Sequence, residues 1–294
     1  MTETVIGKDQ PLRFLDTMKA NRAGVWTTLL GGILIFVIWQ MSLVLVALYV
    51  PVVQKVLLGR GTIAPQDEAL GVGLLLLAGF GPAFGVMILW RRLMERRPIL
   101  TLLTARPKFR WALALTSAVV VGVMGLGLTL AFDPDSVVQI QGRLARFSVQ
   151  DWLTLGFAYG LGICVQASFE EVYVRGWLLQ HLSRLIPSAI GAIVATAILF
   201  SALHYGHPGW ATYVAALVFG LAYGWSVWRL NGLEAAIGAH VSNNLIGALL
   251  TGQMLSGNPP VMDQAQILLY ALYVLGFLLF VEVWARVVEK PSRD

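Results

Sequence analysis

The stretch VWTTLLGGILIFVIWQMSLVLVALYV, residues 25–50, contains no charged side chain. An α-helix needs about 20 apolar residues to cross the hydrocarbon core of a bilayer. Seven further apolar runs meet or approach that length, at approximately 69–90, 111–132, 150–170, 188–205, 209–228, 232–252 and 265–286. The predicted fold class is therefore all-α, a polytopic membrane bundle of about eight transmembrane helices.

The composition agrees with a membrane protein. Of the 294 residues, 57% are hydrophobic and 13% are charged, and the mean hydropathy is +0.72, whereas a soluble domain has about 25% charged residues. The single cysteine, Cys164, excludes an internal disulfide and any multi-cysteine metal site. The lipid bilayer is thus the first predicted partner, and the formal charge of +5 reports topology rather than nucleic-acid binding.

The distribution of basic residues predicts the orientation of the bundle. With the N-terminus in the cytoplasm, 17 of the 21 Lys and Arg residues fall on the cytoplasmic side, seven of them between 91 and 110. The four that fall outside are Lys55, Arg60, Arg143 and Arg146. The positive-inside rule therefore predicts an integral, multi-pass protein of a bacterial inner membrane with both termini cytoplasmic.

Three short polar sets interrupt the apolar second half of the chain. They are Glu170, Glu171 and Arg175 in FEEVYVRGWL (169–178), Phe200 and His204 in FSALH (200–204), and His240 and Asn244 in HVSNN (240–244). An ionisable side chain in lipid costs several kcal/mol unless it is paired or faces water, so such sets are candidate functional sites.

Helical spacing predicts different roles for the two adjacent glutamates. Residues four apart share a helix face, so Glu171 and Arg175 are predicted to form an ion pair, while Glu170 points about 100° away. One carboxylate is then neutralised and the other is available for chemistry. The alternative is purely structural, with both glutamates satisfying Arg175 at a helix end.

The two histidines are placed by the predicted hairpins. Glu170 and His204 are both 17 residues from Pro187, so an antiparallel hairpin puts them at nearly equal height. His240 and Asn244 share one helix face, where both can donate to one oxygen, or can form an ordinary interhelical hydrogen-bond pair. His240 lies closer to the turn near Gly232 than His204 lies to the turn near Pro187, so straight helices would put the two histidines at different depths. To bring them level requires either a protruding hairpin at Pro187 or a kinked helix.

The ordered motifs Glu-Glu-x-x-x-Arg, Phe-x-x-x-His and His-x-x-x-Asn resemble those of the CPBP family, the CAAX proteases and bacteriocin-processing enzymes also called Abi proteins. The resemblance covers about residues 150–250. It implies an intramembrane endopeptidase of eight helices, acting on a membrane-associated protein or peptide. Carried over by position, it implies that Glu170 and His204 activate water, that His240 and Asn244 hold the oxyanion, and that Glu171 and Arg175 form the supporting pair.

The apolar runs and the charge distribution predict a cytoplasmic tail at 1–24, a three-helix membrane part at 25–149, and a last helix with a cytoplasmic tail at 253–294. The resemblance implies that the CPBP catalytic core lies at 150–252.

No cofactor is expected for this chemistry, and zinc is the alternative. Two histidines and a glutamate can bind catalytic zinc, which would be held by Glu170, His204 and His240. The sequence lacks a His-Glu-x-x-His motif, and asparagine is a poor zinc ligand but a good oxyanion donor. Two other classes of function also remain open: a transporter with an intramembrane polar path, and a non-catalytic immunity or scaffold protein.

Overall fold

The computed structural model describes residues 13–18, 24–59, 61–204, 210–252 and 264–289, and this part of the chain is mostly helical. Two short 3₁₀ segments, Phe14–Asp16 and Ile99–Leu102, accompany the α-helices. The α-helices are α1 (Val25–Tyr49), α2 (Pro51–Leu57), α3 (Pro65–Leu93), α4 (Trp111–Phe132), α5 (Pro134–Arg146), α6 (Val149–Glu171), α7 (Leu179–Leu185), α8 (Ala189–Ala202), α9 (Trp210–Leu230), α10 (Glu234–Ile246) and α11 (Gln264–Val287).

The all-α membrane bundle is confirmed, and each of the eight predicted apolar runs contains a helix. Within the part of the chain that the structure describes, six helical segments are long and apolar enough to cross a bilayer: α1, α3, α4, the continuous run from α6 to α7, α9 and α11. The two others are shorter, with 14 residues in α8 and 13 in α10. No strand forms within the described ranges, where Thr104 and Gly232 make an isolated bridge.

The fourth run extends further than its apolar stretch suggests. It continues past residue 170 through a π-helical segment, Val172–Leu178, into α7, and its 37 residues end at Leu185. Arg175 and His181 lower the hydropathy of this extension, yet both side chains are buried among neighbouring helices. The membrane part of this run therefore cannot be delimited by hydropathy alone.

Helix α10 lies inside the bundle, packed between α4 and α6. Its small residues Ala235, Ala236 and Ala239 are fully buried. A Cβ at Gly238 would overlap the backbone of Ala114 on α4, so glycine permits the close approach of the two helices. This approach fixes the last polar motif at the centre of the protein, where it faces α6.

A network of arginines closes one end of the bundle. We call this the basic end: it comprises residues 91–110, the turn after α9 and the last turns of α11. Arg110 donates to both oxygens of Glu234 at 3.0 and 2.7 Å and also binds Glu289. One guanidinium thereby joins the start of α4, the start of α10 and the end of α11.

Candidate active site

The paired glutamates lie where α6 changes from α-helical to π-helical geometry. The π-helical segment begins directly after Glu171, and such irregular turns occur frequently at functional sites. Arg175 donates to Oε1 of Glu171 at 2.9 Å, and both side chains are fully buried. The ion pair predicted from the spacing is therefore present.

His240 contacts both glutamates. Its Nδ1 lies 2.8 Å from Oε1 of Glu171, while its Nε2 lies 3.7 Å from Oε2 of Glu170. Glu171 thus accepts from Arg175 and from His240 through a single oxygen, and it holds the imidazole in one orientation. A carboxylate in this position fixes Nδ1 as a protonated nitrogen and directs Nε2 toward Glu170.

Gln166 completes the contact between α6 and α10, and sequence reasoning missed it. Its Nε2 donates to Oε1 of Glu170 at 2.7 Å, and its Oε1 accepts from Nδ2 of Asn244 at 3.1 Å. Asn243 donates in turn to Oδ1 of Asn244 at 3.1 Å. Both ends of the Asn244 amide are therefore engaged. The one signal in the sequence is that Gln166 precedes Glu170 by four residues and so shares its helix face.

Phe200 links the second motif to the first. The centre of its ring lies 4.1 Å from Cζ of Arg175, a cation–π contact, and 6.4 Å from the ring centre of His240. Its carbonyl oxygen accepts from Nδ1 of His204 at 2.9 Å. The aromatic residue of the motif therefore covers the buried guanidinium and orients the histidine one turn later.

One cavity of about 370 Å³ brings the predicted catalytic residues together: it is lined by Glu170, His204, His240 and Asn244, and also by Gln166. Their chemical roles stay predictions.

The turn near Pro187 lies beside the turn after α9, because Pro187 and Asn231 line a common pocket. His240 accordingly packs against Phe200, one helical turn before His204.

The zinc alternative requires three converging ligands. Among the described residues, no group of three His, Cys, Asp or Glu side chains is arranged to hold a metal ion. Glu170, His204 and His240, the ligands of the zinc alternative, line one cavity.

A second cavity, of about 390 Å³, adjoins the first. The two share Asn243 and Asn244 as lining residues, together with Thr212 and Tyr270. The second cavity reaches Asp133, at the junction of α4 and α5 and opposite the basic end. It provides a space that runs from the predicted oxyanion donors to one end of the bundle.

Comparison with known proteins identifies the region that carries this geometry. Residues 151–246 match the family model described as Type II CAAX prenyl endopeptidase Rce1-like. The Bacillus subtilis (strain 168) protein named "Uncharacterized protein YyaK" is 28% identical over 163 residues, covering 52% of this chain and 52% of that protein. The chain thus matches about half the length of this relative, and no solved structure matches. Because the matched segment contains all three polar sets, the resemblance to CAAX proteases predicted from them is confirmed for residues 151–246.

Proposed function

We propose that the chain is an intramembrane endopeptidase of the glutamic type, which hydrolyses a peptide bond in a membrane-associated or lipidated protein or peptide. One observation carries the proposal: Glu170, His204, His240 and Asn244 line one cavity, inside the segment that matches a CAAX endopeptidase family. The pairing of the neighbouring Glu171 supports this division of roles.

Glu170 is the proposed general base. Amide hydrolysis needs a deprotonated water, which a carboxylate in a water-poor cavity can generate. Glu171 is committed to Arg175 and His240, whereas Glu170 faces the cavity with a partly exposed side chain. The second carboxylate therefore remains for the attacking water.

His204 is the proposed partner of the base. Its Nδ1 donates to the carbonyl of Phe200, so in the neutral ring Nε2 carries the lone pair. That nitrogen can accept a hydrogen bond from the attacking water and can relay to the leaving amine the proton that Glu170 removes. The Phe200 carbonyl thus selects the tautomer that this role requires.

Asn244 and His240 are the proposed oxyanion donors. The amide nitrogen of Asn244 has two hydrogens, of which one is directed to Gln166, and the second is assigned to the oxyanion. Donation by Nε2 of His240 requires a doubly protonated ring. With that ring, the cluster of Glu170, Glu171, Arg175 and His240 carries no net charge, which favours its burial.

The test uses purified full-length protein in proteoliposomes with an internally quenched peptide that ends in a farnesylated cysteine motif, and the same peptide without the farnesyl group. We expect wild type to cleave the lipidated peptide and Glu170→Gln to lose cleavage while staying folded. Asp67→Asn, which alters a carboxylate paired with Lys55 outside the cavity, is the matched control. Loss of wild-type activity on chelation, with about one bound metal per chain, would instead support the metalloprotease alternative.

A substrate survey covers the case in which neither peptide is cleaved. Membranes from cells with wild type and with Glu170→Gln are compared for precursors that accumulate in the variant. Equal precursor levels would favour the transporter or scaffold alternatives. A Glu170→Gln variant that cleaves at the wild-type rate would contradict the proposed mechanism.

A further inference from the structure

A long groove runs between α8, α9 and α11 on the surface of the bundle, with a volume of about 1050 Å³. Its inner part is apolar and is lined by Val194, Val218, Leu221, Val274 and Leu278. Helix α9 separates this groove from the catalytic cavity, which is lined by other residues of the same helix. The groove therefore belongs to a different surface of the protein.

The groove becomes charged toward the basic end. Arg13, Arg229 and Arg286 line this part, together with the carboxylate of Glu282. Glu282 accepts from Arg229 at 3.1 Å and lies 3.5 Å from Arg286. Two guanidinium groups thus share one carboxylate while a third, that of Arg13, lines the same mouth, which carries an excess of positive charge.

The polarity changes along a single helix face. Val274, Leu278, Glu282 and Arg286 follow one another at intervals of four residues on α11, so the face passes from apolar to charged over about 18 Å. Half of the bilayer hydrocarbon core is about 15 Å thick. Glu282 and Arg286 thus lie about 12 and 18 Å from Val274 along the helix axis, a distance comparable with the thickness of one leaflet of the core.

Two tryptophans lie in the groove at the depth where its lining changes from apolar to charged. Trp225 and Trp228 line the groove between its apolar and charged parts, and Trp225 donates to Glu282 at 3.2 Å. Tryptophan is enriched at membrane–water interfaces because its ring is largely apolar and its N–H is polar. The interface thus crosses the groove at the point where guanidinium groups replace aliphatic side chains.

We propose that this groove is a binding site for an anionic phospholipid of the leaflet at the basic end. One acyl chain lies along the aliphatic wall, and the phosphate is bound by Arg13, Arg229 and Arg286. Guanidinium groups suit this ligand because their forked donors match phosphate oxygens. The excess positive charge selects an anionic lipid over a zwitterionic one. The site is independent of the proposed protease activity.

The test is native mass spectrometry of the delipidated full chain in detergent, titrated with phosphatidylglycerol or with phosphatidylcholine of the same acyl chains. We expect one phosphatidylglycerol to bind in preference, and inorganic phosphate not to displace it. Arg286→Gln should weaken the apparent affinity about fivefold, the usual contribution of one basic residue near an anionic lipid. Arg286 is 74% exposed, so this change leaves the interior intact.

Two further variants separate the groove from general attraction to the basic end. Arg92→Gln removes an exposed arginine at the same end but outside the groove and should bind phosphatidylglycerol like wild type. Val194→Trp fills the apolar part without changing charge and should weaken binding by a similar factor to Arg286→Gln. Equal binding of both lipids, equal losses in Arg286→Gln and Arg92→Gln, or unchanged binding in Val194→Trp would each overturn the proposal.

Discussion

Gln166 donates to Glu170 at 2.7 Å and accepts from Asn244 at 3.1 Å, so one side chain ties the proposed base to the proposed oxyanion donor. These two groups lie on different helices, α6 and α10. Their relative position therefore depends on an amide that none of the three sequence motifs includes.

Replacing Gln166 should affect catalysis more than folding. Gln166→Met keeps the length of the side chain but loses both hydrogen bonds, and we expect the rate constant for cleavage to fall about 10- to 100-fold with little change in KM, because misplacement of catalytic groups is costly. Gln166→Glu should be least active at neutral pH and recover on acidification, since the introduced carboxyl can donate to Glu170 only when protonated. Gln150→Met, an exposed change on the same helix, is the control. A flat pH dependence in Gln166→Glu would assign Gln166 a structural role instead.

The buried pair of Glu171 and Arg175 should be critical for stability. Truncating either residue to alanine leaves the other charge buried without its partner, which costs about 3–5 kcal/mol of unfolding free energy. Removing the side chain of Lys55, whose pair with Asp67 is more than one-third exposed, should cost less than about 1 kcal/mol. Thermal unfolding in detergent and protein abundance in membranes measure both. Normal stability of both buried-pair variants would argue against this assignment.

The contact between Phe200 and Arg175 predicts a smaller effect. Phe200→Leu keeps an apolar side chain but removes the aromatic face from the guanidinium, and we expect a loss of about 1–2 kcal/mol beyond that of a matched substitution. Phe277→Leu is the match, because Phe277 is also buried and, among the described residues, no cation–π contact is found at its ring. Equal losses in the two variants would show that the cation contributes nothing.

Glu95 provides a prediction about pH. It follows α3, is 3% exposed, and accepts from Trp177 at 2.6 Å, Arg91 at 2.7 Å and His181 at 2.9 Å. Burial opposes its ionisation, but the hydrogen bond from His181 and the charge of Arg91 outweigh burial and lower the pKa of Glu95. The resulting stability is present above the unfolded-state pKa, about 4.3, and is lost as pH falls through the lower folded-state value.

The check is thermal unfolding between neutral pH and pH 3. Wild type should lose stability below about pH 4. Glu95→Gln should be less stable than wild type at pH 7 and should show a shallower decline in the acid range. Asp67→Asn should keep the wild-type slope. If Glu95→Gln matches wild type at every pH, the network around Glu95 does not stabilise the fold.

The orientation of the bundle can be measured with reporter fusions. Residue 100 lies at the basic end and residue 140 lies in α5 at the opposite end. The charge asymmetry predicts a cytoplasmic reading at 100 and an exterior reading at 140. An exterior reading at 100 would reverse the predicted topology.

Hydropathy located the eight apolar helices because a bilayer imposes a minimum apolar length on each span, but it did not predict α2, α5 and α7, which lie outside those runs. It did not distinguish the short α10 from the long spans, since burial between helices and exposure to lipid demand the same apolar residues. Spacing alone placed Glu171 beside Arg175. In contrast, the contacts of Gln166 with Asn244 and of His240 with Glu171 join residues 78 and 69 positions apart. Such contacts depend on helix packing, which no local pattern encodes.

The arrangement around Arg110 has a consequence for biosynthesis. Its two carboxylate partners, Glu234 and Glu289, lie 124 and 179 residues further along the chain. A ribosome that adds about 5–20 residues per second needs roughly 10–35 s to extend the chain from Arg110 to Glu289. During this time the guanidinium at the start of α4 stays in the headgroup region with water and lipid as its partners. The closing of the basic end is thus among the last steps of assembly, after α11 has entered the membrane.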